Sequence, residues 1–178
     1  MNSPAESLKP EQIQNWLNSL INSAKIPKGS EKEKTYGHCR DNAVASIGKI
    51  VKAHGGAFDI KPYISAWLTY LPMKHDKGEA VEQHELLVDL MVNKPDVIVG
   101  TTQEDVCNNI GKILGLYAEI NSNPKITNDA VKGKMSNHIN SLQSNQALKD
   151  NLANIWNHLS EKQRKELNEI ASFKPKVK

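Results

Sequence analysis

With 178 residues, 38% of them hydrophobic and 24% charged, the chain is long enough for one soluble, folded domain with a sizeable core. An aromatic share of 5% argues against an aromatic-rich β-sandwich. The balance of 23 basic and 20 acidic residues, a net charge of +3, lacks the strong basic excess of a nucleic-acid-binding surface, and no direct nucleic-acid contact is expected.

The two cysteines, Cys39 and Cys107, lie far apart with no CxxC spacing. That argues against a disulfide framework or a zinc site and for two half-buried thiols in a reducing compartment. No apolar run approaches the roughly 18 residues of a membrane span. The start, MNSPAESLKPEQ, has no apolar h-region, so an intracellular protein is expected.

Residues 1–9 read as a disordered lead-in. A first helix is expected from about Glu11 to Ala24, opened by Pro10, with Ile13, Trp16, Leu17, Leu20 and Ile21 on its apolar face. The IPKGS run ends it, and EKEK reads as a charged link. The stretch YGHCRDNAVASIGKIVKAH, 36–54, is a second helix with Ala43, Val44, Ile47, Ile50 and Val51 inward, stopped by Gly55 and Gly56. A third, PYISAWLTYL, runs from Pro62 to Leu71 and buries Ile64, Trp67, Leu68 and Leu71. The fourth spans about Gly78 to Asn93 with Ala80, His84, Leu87, Val88 and Met91 inward. DVIVG resembles a short strand in composition, but it has no partner strand and is expected as a buried connector or a turn of helix.

Thr102, with Asp105 three residues on, is expected to cap a fifth helix to about Ile120, with Val106, Ile110, Ile113, Leu114 and Tyr117 inward. A sixth, about Asn128 to Gln143, buries Val131, Met135, Ile139 and Leu142. A seventh, about Ala147 to His158, buries Leu148, Leu152, Ile155 and Trp156. Ser160 caps an eighth, EKQRKELNEIAS, which is mostly polar, and 173–178 is a tail. Eight helices in four antiparallel pairs (10–55, 60–93, 101–143, 146–172) have a pair period near 40 residues. That period is the mark of a HEAT or armadillo-type solenoid, an all-α right-handed superhelix whose polar last helix suits a terminal cap.

The stretch RDNAVASIGKIVK resembles the inner helix of a repeat near the C-terminus of importin-β-type nuclear import receptors, and most of all the importin-beta-three group, which carries ribosomal proteins and other cargo. ISAWLTYLPMKHDKGEAVEQHELLVDLM, NKPDVIVG and NIWNHLSEKQRKELNEI extend the resemblance in order over about residues 10–172. It implies the last four HEAT repeats of a much longer receptor, either an excised C-terminal piece or an unusually short relative; the start at a repeat boundary favours the piece. It further implies non-covalent binding of protein cargo with basic localisation signals, contact with nucleoporins, and shuttling between cytoplasm and nucleus. In the family Ran-GTP is held by N-terminal repeats, and no position here corresponds to them. The alternative is a stand-alone helical scaffold for an unrelated protein partner. A truncated stack also implies weak self-association through the first pair, around Trp16 and Leu20.

By the same resemblance the second helix of each pair, 36–54, 78–93, 128–143 and 160–172, lines a concave face. Stepping about 100° per residue puts His38, Asn42, Ala45, Lys49 and Lys52 on the outward side of the first of these, Glu82, Glu85 and Asp89 on the second, and Gly133, Asn137 and Asn140 on the third. The carboxylates at i, i+3 and i+7 point one way and suit a basic segment. An ordinary solvated face, partly offset by Lys49 and Lys52, is the other reading. Trp16, Trp67 and Trp156 are read as core residues, with a slot for nucleoporin Phe-Gly repeats between convex helices as the alternative.

Enzyme chemistry has little to stand on. The histidines at 38, 54, 75, 84, 138 and 158 show no HExxH motif. His84 reads as a hydrogen-bonded core residue. Cys39 and its neighbour His38 point about 100° apart on a helix and form no nucleophile–base pair. Gly111 and Gly115 do not form a phosphate loop, and Gly115 is expected to permit close helix packing. No cofactor and no metal are expected.

Overall fold

A computed structural model describes residues 8–27 and 29–174. Most of the expected lead-in, 1–7, and the tail beyond Lys174 lie outside the described residues. Within them the secondary structure is all helical, with no strand. The helices are α1 (Pro10–Ala24), α2 (Glu31–His54), α3 (Lys61–Tyr70), α4 (Lys77–Asn93), α5 (Pro95–Val99), α6 (Gln103–Asn121), α7 (Asp129–Ser144), α8 (Lys149–His158) and α9 (Glu161–Ala171). A 3-10 turn, Gln146–Leu148, precedes α8. They fall into two compact units that divide between Tyr70 and Leu71, inside the expected 60–93 pair.

In the first unit α1 packs along α2, and both touch α3. Ile13 and Leu17 of α1, Val44 and Ile47 of α2, and Ile64 and Trp67 of α3 are buried, as their helical spacing requires. EKEK is not a link: it forms the first turn of α2. Ser30 caps that turn by accepting from the Glu33 amide at 3.1 Å, and Glu31 and Glu33 lie at the positive end of the helix dipole. Trp16 is not in the core but 49% exposed, and Leu20 is half-buried. Ala45, expected to face outward, is buried.

Helix α2 also carries an ionic cluster that its apolar periodicity does not reveal. Arg40 and Asp41 are both buried, at 1% and 0% exposure. The Arg40 guanidinium donates to Asp41 Oδ1 through Nη2 at 3.1 Å and Nε at 3.3 Å, and through Nη1 to Glu33 Oε1. Glu33 also accepts from the backbone N–H of Gly29. The cluster ties the start of α2 to its middle and to the turn before it.

In the second unit α4 packs on α7 and α7 on α9, so the three form one contiguous row. α6 packs on α8 and α9, and α5 joins α4 to α6. DVIVG is the turn of helix expected as one of two outcomes, with Ile98 and Val99 buried. It closes on Gly100 at φ +82°, where a Cβ would lie 2.8 Å from the Cβ of Asp105, the residue whose backbone N–H Thr102 caps. Gly115 permits a close approach as expected: a Cβ there would stand 3.2 Å from Gln163 Nε2 of α9. Beside it Asn121 of α6 donates to Glu166 of α9 at 2.8 Å.

The Arg40 cluster generates a stability prediction. Arg40→Ala leaves Asp41 buried beside no guanidinium and should cost about 3–5 kcal/mol. Arg40→Met combined with Asp41→Leu should recover most of that loss, because it removes both buried charges. Urea unfolding followed by far-UV circular dichroism measures both. A loss below about 1 kcal/mol for Arg40→Ala would mean that the cluster does not hold α2.

Candidate functional site

Asp76 starts α4 by accepting from the Glu79 amide at 3.1 Å. The helix buries Ala80, His84, Leu87, Val88 and Met91, all five residues expected to face inward. Glu82, Glu85 and Asp89 consequently share the opposite side. Glu82 is exposed, while Glu85 and Asp89 are about 40% exposed.

Within the second unit Lys134 of α7 meets this row. Its Nζ lies 2.8 Å from Glu85 Oε1 and 2.6 Å from Asp89 Oδ1. Hydrogen bonds to Asp89 and then to Glu85 raise the Lys134 pKa, so the ammonium stays charged across the neutral range. No pattern within α7 marks Lys134, because its partner carboxylates lie 45 or more residues earlier and only the packing of α4 on α7 brings them together.

On α2 the expected polar face is mostly in place. His38, Asn42, Lys49 and Lys52 are exposed, and Ala45 interrupts them. On α7 Asn137 and Asn140 are exposed and Gly133 is half-buried. Asn140 is engaged in structure, donating to the Ala171 carbonyl at 3.3 Å.

Two histidines are built into the core of the second unit. The Nδ1 of His84 lies 2.8 Å from the Ile126 carbonyl, and its Nε2 lies 3.3 Å from the Met73 amide. A carbonyl can only accept and an amide can only donate, so the ring is neutral with its proton on Nδ1. This is the hydrogen-bonded core histidine expected from the sequence, and it holds the segments before α4 and before α7 against α4. His138 faces Tyr117 across α6 and α7, with Nδ1 2.9 Å from the phenol oxygen. Burial drives the Tyr117 pKa far above its usual value, so the phenol keeps its proton and donates it to Nδ1. Burial also lowers the His138 pKa.

Helix α8 departs most from expectation. Leu148, just before it, and Leu152, Ile155 and Trp156 within it are half-buried rather than buried, and α8 has no fully buried residue. Between α6, α7 and α8 lies a cavity of about 380 Å³ lined by Leu114, Ile139, Leu142, Leu152 and Trp156 among others. Of the three tryptophans only Trp67 is fully buried. Cys39 is exposed and Cys107 half-buried.

Among the described residues no group of three or more His, Cys, Asp or Glu is placed to hold a metal ion, and no helix is long and apolar enough to cross a membrane. No protein-family model matches the chain.

The Tyr117–His138 pair makes stability depend on pH with a definite sign. Above about pH 6.5, the ordinary histidine value, folded and unfolded chains both hold His138 neutral and the pair costs nothing. Below it the unfolded chain takes up a proton that the folded one resists, so stability falls with pH by at most about 1.4 kcal/mol per unit. His138→Gln keeps an acceptor for the phenol but does not titrate. Urea midpoints at pH 7.5 and 5.5 should differ less for this variant than for the wild type, and equal differences would assign the acid sensitivity to other groups.

Proposed function

We propose that this chain is a protein-binding segment of a nuclear transport receptor, built from C-terminal HEAT repeats of the importin-β kind. It binds a basic segment of a protein cargo along Glu82, Glu85 and Asp89. The observation that carries the reading is the ammonium already seated on that row: Lys134 Nζ lies within 2.8 Å of a carboxylate oxygen of both Glu85 and Asp89. Two carboxylates one helical turn apart can therefore hold one lysine head group, and Glu82 extends the row by a further turn.

The packing of the second unit supports a stack of repeats. α4, α7 and α9, the expected second helices of three successive pairs, contact one another in chain order, and the expected first helices α6 and α8 also touch. Each helix then buries its apolar side against the next member, as solenoid repeats do. On this reading His38, Asn42, Lys49 and Lys52 of α2 belong to the same class of surface in the first unit and suit acidic or amide partners. Nucleoporins are the second partner class. Ran-GTP would act only through repeats of the receptor that precede this region, and the protein would move between cytoplasm and nucleus.

A fluorescent peptide carrying a basic nuclear-localisation signal tests the cargo row. Against the wild type and a Glu82→Lys, Glu85→Lys, Asp89→Lys variant, anisotropy titration should show affinity weakened about tenfold or more by the reversal. The wild-type affinity should also fall with added salt. Equal binding by both proteins would refute the row as a cargo site.

A further inference from the structure

The cavity under α8 lies outside the acidic row and takes no part in the receptor reading. The space opens to solvent, with Gln143, Lys149, Ala153 and Asn157 exposed at its rim and Leu114 and Ile139 buried beneath. A space of about 380 Å³ with a largely apolar lining is at the lower end of the roughly 300–1,000 Å³ of small-molecule pockets.

Its construction is regular. Lys149, Leu152, Ala153, Trp156 and Asn157 lie at i, i+3, i+4, i+7 and i+8 of α8, so one whole face of the helix borders the cavity. Leu114 of α6 and Ile139 of α7 stand across from it. Leu152 and Trp156 remain half-buried, so apolar surface here is still available to a ligand.

The charge at the cavity has one sign. Lys149 is the one charged residue of the lining, no acidic residue borders the space, and the other polar side-chain groups are the amides of Gln143 and Asn157 and the indole N–H of Trp156. Lys149 is exposed and forms no ion pair with another described residue. An apolar body with one anionic end would satisfy both features, its hydrocarbon against Leu114, Ile139 and Trp156 and its acid group at the Lys149 ammonium.

We propose that the cavity between α6, α7 and α8 binds a small medium-chain carboxylate, with the alkyl chain inside and the carboxylate on Lys149. A cationic amphiphile of the same length meets the ammonium with like charge, and a neutral alcohol gains only the apolar part.

Decanoate, decanol and decyltrimethylammonium, each below its micellar concentration, are titrated into the full chain and followed by calorimetry and tryptophan fluorescence. Trp156 reports from the cavity wall, whereas Trp16 and Trp67 belong to the other unit. Decanoate should bind saturably and about tenfold or more tightly than the ammonium compound. Lys149→Gln should bring the two within about threefold while retaining decanol binding. Ala153→Phe, a change at an exposed position that fills the space, should weaken all binding about tenfold, with unchanged circular dichroism showing that the fold is intact. No saturable decanoate binding overturns the proposal, as does decanoate binding unaffected by Ala153→Phe. Equal affinity for all three compounds overturns the role of Lys149. A Phe-Gly peptide that binds the cavity and is not displaced by decanoate would assign the space to a peptide instead.

Discussion

No helix of this chain is secure without the apolar face of another. Helices shorter than about 12–15 residues are marginal in water, and α3, α5, α8 and α9 all fall below that length. What holds them is contact between apolar faces, such as Ile64 and Trp67 of α3 within the first unit, or Leu167 and Ile170 of α9 within the second. The same dependence explains α8. It contacts α6 and α7, yet none of its residues is fully buried, and an apolar cavity remains where a better-seated helix would have closed the gap.

Polar groups drawn into such a stack must be paired, and here each kind of pairing does a different job. Arg40 and Asp41 are neighbours in sequence and face different directions on the helix, yet the long guanidinium side chain reaches both Asp41 and Glu33 a further two turns back. The buried guanidinium therefore finds carboxylate partners within α2 itself. His84 works between segments, taking an amide proton from one and giving its own to a carbonyl of another. Tyr117 and His138 join α6 to α7 in the same way. Each would be costly to leave half-satisfied, since a buried polar atom without a partner loses its full solvation. These contacts fix where the helices meet, while apolar burial supplies the attraction.

Helix positions and faces were legible in the sequence because they depend on spacing within one segment. The inward faces of α4 and of most of α6 and α7 follow directly from period 3.6, and Thr102, Asn128 and Ser160 cap where polar residues precede apolar runs. Ser30 with Glu33 is the same S-x-x-E signal, and the like-looking EKEK run obscured it. Arg40, Asp41 and Ala45 were misread or missed because burial on α2 is wider than an amphipathic stripe: a helix contacted on more than one side hides polar positions as well. Lys134 left no trace, since its role depends on how two distant helices stack. The failure at Trp16 and Trp156 has a similar cause: the spacing marks a side chain as facing a neighbour but does not show how completely that neighbour covers it.

The Lys134 bridge also limits what the acidic row can contribute to recognition. Lys134, Glu85 and Asp89 are each about 40% exposed, so water and salt screen the bridge and its net worth to stability is small. A lysine from a partner would replace an ammonium that is already bound, exchanging one ion pair for a similar one. The exchange itself is close to neutral in free energy. Affinity for a basic segment would then depend on contacts made at further positions along the surface. Recognition by such a surface is distributed over several weak contacts, and its selectivity comes from the spacing of charges along the partner more than from any one pair.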